Sequence, residues 1–94
     1  MIQERVSYFN KIYDFKYNKI NIKSQKTRWG SCSKKGNLNF NYKIALLPQY
    51  LADYIIVHEL CHLVEFNHSR KFWNSVQRLV PNYPEIRREL KSYK

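Results

Sequence analysis

Apolar residues recur along this chain with two different periods, and the switches between them divide it into elements. Ile2, Val6, Phe9 and Tyr13 return at three- and four-residue steps, which predicts a helix over residues 2–17. From Lys19 to Lys23 the period is two: Ile20 and Ile22 face one way, Lys19, Asn21 and Lys23 the other, as in a short half-buried strand. Lys34-Lys35-Gly36-Asn37 is a turn signal. Leu38, Phe40 and Tyr42 then alternate with Asn37, Asn39, Asn41 and Lys43, giving a second strand, and the two strands are expected to form a small antiparallel sheet. Pro48 suits the opening of a helix over Gln49 to Phe66, with Ile56, Leu60 and Leu63 as its apolar stripe. Phe72, Trp73, Val76, Leu79 and Val80 mark a further helix from about Ser69. Asn82-Tyr83-Pro84-Glu85 reads as a cap, a first-turn proline and an acid, opening a last helix through Leu90. Helix, two or three strands and three helices make an α+β fold in a single domain, residues 1–94, with the sheet covering one side of the third-quarter helix.

Composition fits one modest core. Of 94 residues 44% are hydrophobic and fifteen are aromatic, enough for a small domain to fold. No apolar run approaches the eighteen or so residues of a membrane-spanning helix, so no membrane partner is expected. The start, MIQERVSYFN, lacks the apolar segment of a signal peptide. Together with two cysteines, this predicts a cytoplasmic protein in which Cys32 and Cys61 are reduced packing residues. The net charge of +10 is uneven: from Lys16 to Lys35 there are seven basic residues and no acidic one. Such a stretch is either a solvated surface or an attraction for an anionic partner.

The chemistry concentrates between residues 58 and 68. His58-Glu59-Leu60-Cys61-His62 puts two histidines four apart, hence on one face of a helix about one turn apart. Two neutral imidazoles at that spacing can hold one zinc ion, and Glu59 stands where the His-Glu-x-x-His pattern has the general base. The plain alternative is an amphipathic helix carrying an incidental pair. Against it, all three histidines of the chain fall within these eleven residues. His68 is the candidate third ligand, which requires the chain to turn after about Phe66, with Asn67 suited to a left-handed turn. Glu65 and Cys61 are rival ligands, and Glu65, Asp53 or a backbone carbonyl could orient a ligand histidine. Arg28, Tyr42, Tyr50 and Tyr54 are candidates for holding substrate or a developing oxyanion, unranked by sequence.

A wider set of residues carries a resemblance. Arg28-Trp29-Gly30-Ser31-Cys32-Ser33, Gly36-Asn37-Leu38-Asn39-Phe40-Asn41, Pro48, Tyr54 to His62, and Asn67-His68-Ser69 with Phe72-Trp73 together closely resemble the C-terminal metal domain of the YgjP-like metal-dependent hydrolases. Those look like zincin-type domains related to the SprT-like and WLM proteases. The resemblance implies a minimal zincin fold, zinc ligands at His58, His62 and His68, and a catalytic glutamate at Glu59.

Three readings follow. The first is a zinc hydrolase using one Zn²⁺ ion, most simply a metallopeptidase acting on a peptide or protein. The second keeps the metal but hydrolyses a nucleotide, with the basic Lys16–Lys35 stretch holding the phosphates. The third is a non-catalytic basic zinc module that binds nucleic acid or protein.

Overall fold

The computed structural model describes residues 1–93. It contains helix α1 (Ile2–Tyr13), strands β1 (Lys19–Lys23), β2 (Gly30–Cys32) and β3 (Asn37–Asn41), a 3₁₀ turn over Tyr42–Leu46, and helices α2 (Gln49–His62), α3 (Arg70–Leu79) and α4 (Tyr83–Leu90). The α+β class and the order of elements are those the sequence predicts; three boundaries and one pairing are not.

Helix α1 stops four residues early. Asp14 takes the left-handed conformation, φ 57°, which Asp and Asn accept more readily than other side chains. Asn10 then clamps the exit: its Oδ1 accepts from the Phe15 N–H at 2.9 Å and its Nδ2 donates to the Phe15 carbonyl at 2.8 Å. The predicted stripe of Ile2, Val6, Phe9 and Tyr13 is buried. Arg5 reaches from it to Asp53 of α2 in a two-pronged pair, 2.9 Å for each bond, so Asp53 is engaged in tying two helices together and orients no histidine.

The sheet is mixed, not antiparallel. Strand order is β1-β3-β2: β2 pairs antiparallel with β3, but β1 runs parallel to β3, with Lys19 beside Asn37 and Lys23 beside Asn41. Residues 24–36 lie between the two parallel strands, about the dozen residues such a crossover needs, and β2 is part of it. Leu38 and Phe40 are buried beneath β3. The other face is an amide ladder in which Asn21 donates to Asn39 at 3.0 Å and Asn39 to Ser31 at 3.2 Å. Tyr42 does not continue the strand. Asn41 caps the 3₁₀ turn by accepting from the Lys43 N–H at 3.0 Å, and this leaves Tyr42 exposed.

Helix α2 is the axis of the molecule. Ten of its fourteen residues are buried, so it has no single apolar stripe; α1, α3, α4 and β2 all pack on it. A helix covered on every side is read poorly by periodicity. It ends at His62, four residues sooner than predicted, in a tightening turn in which Leu63 N–H bonds the Leu60 carbonyl and both Val64 and Glu65 bond that of Cys61. Ser69 caps α3 by accepting from the Phe72 N–H at 3.3 Å. In α4 Pro84 sits in the first turn as predicted, while Asn82 precedes the helix without a side-chain capping bond. No described helix is long and apolar enough to cross a membrane.

Candidate functional site

The last turn of α2 and the loop that follows bring three imidazoles together. His58 and His62 are one turn apart on α2, and the chain folds back over residues 63–67 to return His68 to the same point. It does so without a left-handed residue at Asn67: among the described non-glycine residues only Asp14 has positive φ. The three Nε2 atoms form a nearly equilateral triangle, 3.2 Å from His58 to His62, 3.2 Å from His62 to His68 and 3.4 Å from His68 to His58.

That triangle can be tested against zinc. With tetrahedral geometry and Zn–N bonds of about 2.0–2.1 Å, neighbouring nitrogens stand about 3.3–3.4 Å apart, which is the observed spacing. Hydrogen bonds alone serve the triangle badly. The Nδ1 of His62 lies 2.9 Å from the Glu65 carbonyl and donates to it, so its Nε2 carries only a lone pair. The Nδ1 of His58 lies 3.2 Å from the hydroxyl of Tyr54, which can accept from it or donate to it. A cation satisfies all three nitrogens at once. These histidines are the one group of His, Cys, Asp or Glu side chains among the described residues that could hold a metal ion, and neither Glu65 nor Cys61 joins it. The Glu65 contribution is its backbone carbonyl; Cys61 is buried on the far side, near Tyr13.

Aromatic rings fix the orientation of the imidazoles. Phe72, fully buried, stacks on His62 with centroids 4.4 Å apart and meets His58 and His68 edge-on at 5.0 Å each. Trp73 stacks on His68 at 5.7 Å and on Tyr83 at 4.8 Å. Burial, then the neighbouring His62 and His68, push His58 down to about 3, so it is neutral and ligand-ready at pH 7. His62 is likewise lowered, mainly by burial.

Glu59 lies on the β2 side of α2. It is 6% exposed, and its Oε1 is buried without a hydrogen-bond partner. Burial pushes its carboxyl up to about 8, while the positive charge of Arg28 pulls the other way. The close approach of strand and helix depends on Gly30. A Cβ there would stand 2.9 Å from the Asn39 carbonyl oxygen and 3.2 Å from Glu59 Cγ, so only glycine fits without a shift.

Two hollows open on either side of this point. One, of about 570 Å³, is lined by Lys26, Arg28, Trp29, Tyr54, Ile55 and Arg87 among others; a smaller one, of about 300 Å³, by Ser31, Cys32, Phe66, His62 and His68. Arg28, Gly30, His58 and Glu59 border both. Of the four substrate-binding candidates, Arg28 and Tyr54 therefore stand at the site. Tyr42 and Tyr50 stand outside both walls, Tyr50 with its hydroxyl donating to Glu89. Sequence reasoning did not assign Gly30, Asn41, Phe72, Trp73 or Arg87 to the site. Asn41 is the least obvious: it reads as the polar face of a strand, yet it is buried, and its Nδ2 donates to the carbonyls of Gln25 at 2.9 Å and Arg28 at 3.1 Å. It thereby holds the loop that carries Arg28.

The fold matches the crystal structure of the metallopeptidase zymogen of Pyrococcus abyssi abylysin with TM-score 0.88, at 23% identity, over 99% of this chain and 94% of that one. It matches that of Methanocaldococcus jannaschii jannalysin, also a metallopeptidase zymogen, with TM-score 0.85 and 27% identity, over 99% and 96%. No curated protein matches the chain. Residues 1–93 match the model of the YgjP-like family, metallopeptidase domain, and the chain belongs to that family.

Proposed function

We propose that the protein is a zinc-dependent metallopeptidase in which His58, His62 and His68 hold one ion and Glu59 is the general base. The observation that carries this reading is the Nε2 triangle with 3.2–3.4 Å edges beside a buried carboxylate whose Oε1 has no other partner. Zinc in such a site supplies Lewis acidity, polarising a carbonyl and acidifying a water.

The chain's own residues divide the remaining work. Glu59 takes the proton of the attacking water and passes it to the amine nitrogen as the peptide bond breaks. Its raised proton affinity suits both halves of that transfer, and a divalent cation beside it favours the carboxylate in the resting state. Strand β2 is an edge strand; Gly30 borders both hollows and Ser31 and Cys32 the smaller one, so an extended peptide can lie against it by strand addition. Arg28 is the candidate donor to a developing oxyanion, since it borders both hollows and its charge reaches Glu59. Tyr54 is assigned instead to His58, whose Nδ1–H its oxygen accepts.

The nucleotide reading needs the same centre with a phosphate in the larger hollow. Incubating the zinc-loaded protein with an unstructured protein and, in parallel, with nucleoside triphosphates separates the two. Peptide fragments without released phosphate are expected; phosphate release without fragments would overturn the peptidase assignment.

A further inference from the structure

The larger hollow has a one-sided charge. Lys26 and Arg28 line it from the loop before β2, Lys43 from the 3₁₀ turn, and Arg87 and Lys91 from α4 and its end. The carboxylate on its wall is Glu59, which is buried. Among the described residues, none of the five cations pairs with a carboxylate: the ion pairs are Met1 with Glu4, Arg5 with Asp53, and Arg88 with Glu85. Arg87 lies over the Trp73 ring, 4.6 Å from its centroid, and its charge is felt at His58 and Tyr54. The smaller hollow shares Arg28 and has no further Lys or Arg. Cations gathered from three separate stretches around a concave surface focus a positive potential there, above what a +10 net charge spreads over the rest.

We propose that this hollow selects acidic side chains: the substrate is a peptide carrying Asp or Glu on one side of the scissile bond, the side facing Lys26, Lys43, Arg87 and Lys91. The inference rests on the peptidase reading and specifies its substrate class. Trp29, Ile55 and Leu90 give the same hollow an apolar floor beneath the cationic rim, which suits Glu and Asp side chains with their methylene stems.

The test is a cleavage profile of the zinc-loaded protein on a mixed peptide library, read by mass spectrometry. Asp and Glu should be enriched, and Lys and Arg depleted, on one side of the cut. Replacing Lys26, Lys43 and Lys91, all exposed, by Gln should lower the rate on an acidic peptide by about 5–10-fold at low salt, taking roughly twofold for each exposed cation. Cleavage of a neutral peptide should fall by a smaller factor, so that the acidic-to-neutral rate ratio drops. No acidic enrichment, or enrichment that the triple variant retains, would overturn the proposal. Binding separates this from failure of the peptidase reading. An acidic peptide and its Gln/Asn counterpart are titrated into zinc-loaded Glu59→Gln protein. Tighter binding of the acidic peptide supports the pocket even if no bond is cut. Equal affinity overturns it even if bonds are cut, as does displacement by ATP that the wild-type protein hydrolyses.

Discussion

The hydroxyl of Tyr54, a buried residue one turn earlier on the same helix, is 3.2 Å from Nδ1 of the half-buried His58. With zinc held through Nε2, His58 Nδ1–H would donate to this oxygen, an orienting role the sequence left open among Glu65, Asp53 and backbone carbonyls. The carbonyl of Glu65 does the same for His62, and Asp53 is occupied by Arg5. For Tyr54→Phe we expect zinc affinity, measured by competition with a chromophoric chelator, to fall by about 10–100-fold with the fold intact. Unchanged affinity would leave Tyr54 as packing only. At this scale the sequence was most legible where chemistry is written in residue type. Three histidines and a glutamate in eleven residues announced themselves; the asparagine that holds the Arg28 loop did not. Asn41 looked like any outward strand residue because its partners, two backbone carbonyls of a loop, leave no mark on residue type.

Pairs of elements, rather than single ones, set the site. Strand β2 lies against α2 so closely that Gly30 faces Glu59, and Phe72 of α3 backs all three imidazoles. Gly30→Ala is expected to cost about 1–3 kcal/mol, as overpacking does. It should also lower turnover, because the backbone oxygen of Asn39 and the stem of Glu59 must both give way. Chemical denaturation measures the first and peptide cleavage the second; a stable, fully active variant would contradict the close-packed assignment. The limits of sequence reading appear here in physical form. Periodicity and helix-start signals together found the four α-helices, but they missed ends set by local bonds: the Asn10 clamp after Tyr13 and the turn at His62. Periodicity also took the first and last strands to pair antiparallel, because alternation records which face is buried and not the direction of the neighbouring strand.

At the scale of the whole molecule, a chain of 94 residues builds its core around one helix and puts its chemistry at the end of that helix. An ion held by His58, His62 and His68 would therefore be coupled to folding. Zinc at about 100 times its Kd should stabilise the domain by about 2.7 kcal/mol, and chelation should remove that gain. The metal-free protein should also depend on pH. Its folded state holds His58 at about 3, against about 6.5 for an unfolded histidine. Between those values the unfolded chain binds more protons, so His58 makes stability fall as pH drops from about 6.5 towards 3. Urea midpoints in chelator should decline more steeply for the wild type than for His58→Asn over that window; parallel declines would contradict it. The central claim, that His58, His62 and His68 hold the ion while Glu59 moves the proton, is tested most directly with zinc-loaded wild-type and Glu59→Gln proteins on one unstructured substrate. Zinc content and new amino termini are counted in both. One zinc ion per chain in each, with new termini from the wild type and at least about 100-fold fewer from Glu59→Gln, is the predicted result. Equal cleavage by the two proteins, or no cleavage by the zinc-loaded wild type, would contradict it.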